Sequence, residues 1–167
     1  MGDTHLNALL NGDSGDNLLC GSAGNDTLDG GAGTDLLIGG AGNDTYRFGL
    51  GDGADTVQEN DATPGKLDTI EFLAGIDADQ IWLRQAGNDL TLSVIGTTDT
   101  LTIQNWYEGN EHRVEQFRTA DGKRLLDGQV EQLVQAMAAF APPEAGQTAL
   151  PTPCRDSLAP VIAANWH

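Results

Sequence analysis

Residues 30–47 read GGAGTDLLIGGAGNDTYR. Two glycine pairs stand nine residues apart, each followed by a further glycine and then by an aspartate. Within each nine, the first six residues hold three glycines and no large apolar group, the composition of a turn in which glycine supplies positive φ. The last three place one large residue, Leu37 or Tyr46, at their centre, enough for a very short strand. A turn and a short strand cannot bury that residue alone, so repetition must wind the chain into a solenoid.

The same register extends towards the start. Gly12 opens GDSGDNLLC and Gly21 opens GSAGNDTLD. The fourth place is Gly15, Gly24, Gly33 and Gly42; the sixth is Asn17, Asp26, Asp35 and Asp44; the eighth is Leu19, Leu28, Leu37 and Tyr46. Residues 3–11 keep only Leu10. After Tyr46 the register slips into FGLGDGADTV, where Asp52 and Asp55 carry on the carboxylates. With two units per coil, Asp26 is expected beside Asp44, Asn17 beside Asp35, and Asp35 facing Asp52 or Asp55. Stacked carboxylates repel unless a cation lies between them. Ligands that are all oxygen, with no His or Cys nearby, select a hard ion. Flexible turns rich in carbonyls suit Ca²⁺ better than octahedral Mg²⁺.

This pattern resembles the RTX, or haemolysin-type, calcium-binding family, whose nonapeptide is G-G-x-G-x-D-x-U-x. Residues 12–57 carry the resemblance, and units 30–38 and 39–47 match the motif in full. It implies a mainly β chain: a right-handed parallel β-roll, an antiparallel β cap and a C-terminal amphipathic helix. It implies several Ca²⁺ ions held by Gly24, Asp26, Gly30, Gly31, Gly33, Asp35, Gly39, Gly40, Gly42 and Asp44, with Asn17 in the first coil. Asn17 in place of aspartate, and Asp13 and Ser22 in place of second glycines, mark that first coil as a weak binder or none. The stretch DGADTVQENDATPGKLDTIEF also looks like the family's closing segment, making Asp52, Asp55, Asp61 and Asp68 candidate ligands. For Asp61 a solvated acidic loop is the plain alternative.

Composition agrees with a cation binder. The 167 residues hold 25 Asp and Glu against 8 Lys and Arg, a formal net charge of −17. Nucleic acid and anionic membranes need clustered basic residues and are not expected partners. No apolar run is long enough to span a bilayer. Residues 1–25 lack a basic region followed by an apolar one, so no ordinary secretory leader is expected, and Met1-Gly2 reads as a start placed on part of a longer protein. Cys20 and Cys154 are too few for a disulfide framework, and the sequence leaves open whether they pair.

Three segments follow from this reading: calcium-binding coils over 1–67, a β capping region over 68–126, and a helix and tail over 127–167. In the second, DTIEFL, QIWLRQ, DLTLSVI and DTLTIQNW alternate like strands, with AGND and GTTD as turns. The segment LTIQNWYEGNEHRVEQF looks like the region that follows such repeats. Trp106 and Tyr107 are core residues or a ligand platform. In the third, Val130, Leu133, Val134, Met137 and Ala141 space an amphipathic helix behind Asp127 as a possible N-cap, ended by Pro142-Pro143. The family resemblance implies a secreted, extracellular bacterial protein with an uncleaved C-terminal signal read by a type I secretion apparatus.

No catalytic constellation is legible. His5, His112 and His167 stand apart, no serine sits in G-x-S-x-G, and no Asp-Pro bond exists for autoprocessing. The chain is expected to be a calcium-binding module and not itself an enzyme. Two rivals remain open: an adhesin or glycan-recognition module using outward Thr27, Asp29, Leu36, Thr45 and Arg47, or the C-terminal part of a secreted lipase or protease.

Overall fold

The computed structural model describes residues 6–167. Among the described residues, twelve short strands build two six-stranded sheets, and two α-helices follow them. Strands β1 (Leu9–Asn11), β3 (Thr27–Asp29), β5 (Thr45–Phe48), β7 (Thr69–Phe72), β11 (Gln116–Arg118) and β12 (Arg124–Leu126) form one sheet in that order. The other runs β2 (Leu18–Ala23), β4 (Leu36–Ala41), β6 (Ala54–Val57), β10 (Thr100–Ile103), β9 (Asp89–Val94) and β8 (Ile81–Ala86). The chain alternates between the sheets through the glycine turns, so units n and n+2 stack, as the period predicts.

Register follows the eighth residue of each unit. Leu10, Leu28, Tyr46, Ile70, Phe117 and Leu125 align across one sheet. Leu19, Leu37, Val57, Ile103 and Leu90 align across the other. These two columns face each other, and from Leu28 onward their members are buried in a single hydrophobic core. Each unit contributes one large side chain, so the core is narrow, and stacking is its only means of exclusion from water.

Parallel stacking continues past residue 67. Strand β7 pairs parallel with β5, β10 parallel with β6, and β11 parallel with β7. Antiparallel pairing is confined to β8–β9–β10 and β11–β12. The cap therefore grows out of the coils, its first strands taking the coils' own register before hairpins close each sheet. Gly87-Asn88 turns the first of these hairpins, within the expected AGND. Trp106 packs on Phe117 with ring centroids 5.9 Å apart and is a core residue.

Helix α1 (Asp127–Ala138) buries Val130, Leu133, Val134 and Met137. Two details differ from the sequence reading. Leu126 is the N-cap and Asp127 already helical, while Ala141 lies exposed beyond the helix end. The tail, expected as loop and apolar stretch, is a second helix, α2 (Thr152–Asn165). It buries Cys154, Leu158 and Ile162, and Pro160 is accommodated inside it. The last residue then clips to β12, with Arg124 N donating to His167 O at 2.7 Å and His167 N donating to Arg124 O at 3.0 Å. Pro151, which favours extended backbone before a helix start, masked this element in the sequence. Cys20 and Cys154 are both free thiols. No helix among the described residues is long and apolar enough to cross a membrane.

Candidate metal centre

Each sixth-place aspartate sits where a turn meets a strand, and its backbone position repeats from coil to coil. In one column Asp26 N donates to Asp44 Oδ1 at 2.8 Å, and Asp44 N to Asp68 Oδ1 at 2.8 Å. Asp68 N donates to Glu115 Oε2 at 2.8 Å, and Ala8 N to Asp26 Oδ1 at 2.7 Å. In the second column Asn17 N donates to Asp35 Oδ1 at 2.7 Å and Asp35 N to Asp55 Oδ1 at 3.0 Å. One carboxylate oxygen of each thus joins its coil to the preceding one. The other has no partner: Oδ2 of Asp26, Asp35, Asp44 and Asp55 is buried without a hydrogen bond.

These free oxygens share a setting. A methyl group placed on Gly21 would fall on Asp26 Oδ2 and also 2.5 Å from the Gly39 carbonyl oxygen. On Gly30 it would fall on Asp35 Oδ2, and on Gly39 on Asp44 Oδ2. Glycine at the first place leaves room beside the carboxylate oxygen, shared with the Gly39 carbonyl at Gly21 and with the Tyr46 hydroxyl at Gly39. The second- and fourth-place glycines pack the turns. Gly33 has φ 143°, and a side chain there would lie 2.7 Å from Gly15 O. Gly24, Gly31, Gly40 and Gly42 likewise sit over carbonyls of the coil before.

Burial and mutual repulsion act on the columns together. Burial raises Asp44 to about 6, with the charges of Asp68, Asp26 and Asp61 adding to it. Burial raises Asp55 to about 7, with Asp35 and Asp52 adding. A buried carboxylate oxygen with no donor is costly unless a cation or proton meets it. Carboxylate and carbonyl oxygens side by side, with no nitrogen or sulfur, are the donor set of a hard divalent ion. The residues present fit calcium.

The other candidates divide. Asn17 is tied within its own turn, its Oδ1 accepting from Asp13 N at 2.8 Å and its Nδ2 donating to Asp13 Oδ1 at 3.3 Å. Asp52 lies outside the columns and accepts from Gly49 N at 2.6 Å; Asp55 takes the place facing Asp35. Asp61 is buried, not a solvated loop residue. Burial pushes its carboxyl up, but the Thr63 hydroxyl and amide, the Gly42 amide and the Lys66 charge together hold it below the usual range. Asp68 uses both oxygens, the second accepting from Lys66 Nζ at 2.6 Å. His5 lies outside the described residues.

Residues 11–46 match the RTX calcium-binding nonapeptide repeat family, in four copies. The chain carries an RTX calcium-binding repeat block. Residues 89–127 match the haemolysin-type calcium binding protein related domain, which here supplies β9 to β12. The iron-regulated protein FrpA of Neisseria meningitidis serogroup C is 40% identical over 93 residues. That stretch is 54% of this chain and 8% of FrpA, so the chain spans a small part of the relative's length. RTX nonapeptides bind several Ca²⁺ ions, and the two columns hold buried carboxylate oxygens that have no hydrogen-bond donor.

Several residues around the two columns escaped the nonapeptide reading. Glu115 occupies the aspartate place one strand beyond Asp68. The signal was present as an acid–polar–large triplet: Asp26-Thr27-Leu28, Asp44-Thr45-Tyr46, Asp68-Thr69-Ile70, then Glu115-Gln116-Phe117. Asp99 accepts from Gly51 N at 2.9 Å and Gly53 N at 3.1 Å, closing the second column's turn. Outside the first column runs an asparagine ladder: Asn25 N donates to Asn7 Oδ1, Asn43 N to Asn25 Oδ1, and Leu67 N to Asn43 Oδ1. Glu59 accepts from the Tyr46 hydroxyl, and burial together with the Asp68 charge raises it to about 8. With Asp44 and Asp68 it brings three buried carboxylates within reach of one ion.

Proposed function

We propose that this chain is a calcium-dependent folding module at the C-terminal side of a larger secreted bacterial protein. The observation that carries the reading is the set of four buried carboxylate oxygens without donors, aligned in two columns. Ligands are Asp26, Asp35, Asp44 and Asp55 with the carbonyls of the glycine turns. A bound ion supplies the positive charge that the columns lack. Where Ca²⁺ is scarce the carboxylates repel, the coils stay open, and the repeat can thread a type I secretion channel. Outside the cell Ca²⁺ is about millimolar. A site with Kd near 10⁻⁴ M then contributes roughly 1.4 kcal/mol, and several together exceed the stability of a marginal small domain.

The C-terminal segment 127–167 serves, in this reading, as the uncleaved export signal. The β cap supplies the surface on which the last coil stacks, which suits emergence of the C-terminus first. Circular dichroism during calcium titration, with Mg²⁺ as control, tests the core of the proposal. Strand signal and thermal midpoint should rise with Ca²⁺ in the submillimolar range and not with Mg²⁺. A chelator-treated chain as folded and as heat-resistant as the calcium-loaded one would overturn it.

A further inference from the structure

The first aspartate column ends differently from the way it begins. Beyond Asp44 the chain leaves the nonapeptide register and makes a loop, Gln58 to Leu67, that carries Lys66 back inward. Its side chain is 6% exposed. Nζ lies 2.6 Å from Asp68 Oδ2, 3.1 Å from Glu115 Oε1 and 3.7 Å from Glu59 Oε2, and donates to Arg113 O at 2.8 Å. The ammonium is thus held in a shell of carboxylate and carbonyl oxygens, the same donor types that the earlier coils leave open. The Asp68 and Glu115 amide ladder continues on either side of it.

We infer that Lys66 is the built-in cation of the last turn: its ammonium fills the place among Glu59, Asp68 and Glu115 that a divalent ion would otherwise take. This rests on the reading that the preceding coils take calcium. Two observations separate it from a surface ion pair. A surface lysine keeps its head in water, whereas this one is buried and spends its donors on the residues that lead into β7 and β11, Asp68 and Glu115, and on the loop residues Glu59 and Arg113. And Glu59 Oε2, though buried, has no hydrogen-bond partner, so the shell is an ion cage and not a saturated hydrogen-bond network. The consequence is an order of events. The parallel pair β7–β11 closes at calcium concentrations that leave Leu9–Val57 open, and the coils assemble upon it.

Lys66→Met removes the charge at nearly constant length. In the full chain, two measurements compare it with the wild type: calcium stoichiometry by titration calorimetry, and amide exchange of β7 and β11 in chelator. In the wild type β7 and β11 should stay protected in chelator while β3 to β6 exchange. In Lys66→Met that protection should be lost, return with calcium, and be accompanied by about one additional ion per chain. Adding Glu115→Gln to Lys66→Met should abolish the additional ion. The inference is overturned by equal stoichiometry and equal protection in wild type and Lys66→Met, by unprotected β7 and β11 in the chelated wild type, or by a Lys66→Met chain that calcium cannot fold. Failure of the calcium reading itself looks different: the wild type would bind no calcium, while the charge effect on β7 and β11 would persist.

Discussion

The backbone amide of Asp26 donates to Oδ1 of Asp44, eighteen residues ahead, at 2.8 Å, while Oδ2 of Asp44 is buried with no donor. One carboxylate therefore performs two separable tasks, and substitution can part them. Asp44→Asn keeps an oxygen for the Asp26 amide and removes the charge. It should weaken calcium binding yet leave the calcium-free chain no less stable. Asp44→Ala removes both, and leaving a buried amide without an acceptor costs about 1–3 kcal/mol. Chemical denaturation in saturating calcium, where the coils are closed, checks the pair; equal loss of stability for both variants would contradict the division.

Tyr46 is the eighth-place residue with a hydroxyl. That hydroxyl accepts from Gly39 N at 2.9 Å and donates to Glu59. Tyr46→Phe keeps the core volume but strands a buried amide and a buried carboxylate oxygen. It should destabilise by about 1–3 kcal/mol, whereas the same hydroxyl loss at half-exposed Tyr107, bonded to Glu131 at 3.2 Å, should cost less than about 1 kcal/mol. Thermal midpoints of the two variants in saturating calcium compare them directly.

Much of the first half was legible because one rule fixes three things at once. The nine-residue period sets the turn, the inward Leu or Tyr and the carboxylate, so Asp26 beside Asp44 and Asn17 beside Asp35 follow from counting. The uncertainty between Asp52 and Asp55 arose where the period slips, and strand register resolved it. Beyond Asp68 no period guides the eye. Alternation identifies β8, β9 and β10 as strands but cannot tell that β10 joins β6 in parallel. Lys66, Glu59 and Asp99 are placed by loops, whose course depends on contacts distant in sequence. Helix α2 is hidden in the sequence because prolines flank and interrupt its apolar stretch.

Gly42 separates close packing from conformational freedom. Its φ is 138°, and a side chain there would overlap Gly24 O of the coil before. Gly42→Ala should cost at least about 1–3 kcal/mol through backbone strain, with the steric overlap in addition. Gly128 in α1 has open space around it, and Gly128→Ala should stabilise by up to about 1 kcal/mol. Denaturant midpoints in calcium report both. A tolerated Gly42→Ala would mean the coils stack less closely than described.

The two thiols report on different parts of the molecule. Cys20 is exposed on β2, while Cys154, in the first turn of α2, is buried, and burial raises its thiol above the ordinary range. Thiol reagents act on the thiolate, so Cys20 should react quickly and Cys154 only when α2 lifts away. Removing residues 152–167 should also release the His167 clip on β12 and lower the thermal midpoint. Comparable labelling rates at the two positions in the folded chain would argue against a docked tail.

Acidity should stabilise the calcium-free chain, against the usual trend for carboxylates. Asp44 and Asp55 are raised to about 6 and about 7 by burial and neighbouring charge, whereas an unfolded aspartate titrates near 3.9. Between about pH 4 and 7 the folded state therefore holds more protons than the unfolded one. The contribution is complete below about pH 4 and is lost as pH rises through 6 to 7. Calcium reverses the slope, because the ion needs the deprotonated carboxylates and competes with the same protons. Urea denaturation in chelator should give a higher midpoint at pH 5 than at pH 8, and calcium affinity should be greater at pH 8 than at pH 5. A chelated chain at least as stable at pH 8 as at pH 5 would mean that the columns of aspartates do not repel one another.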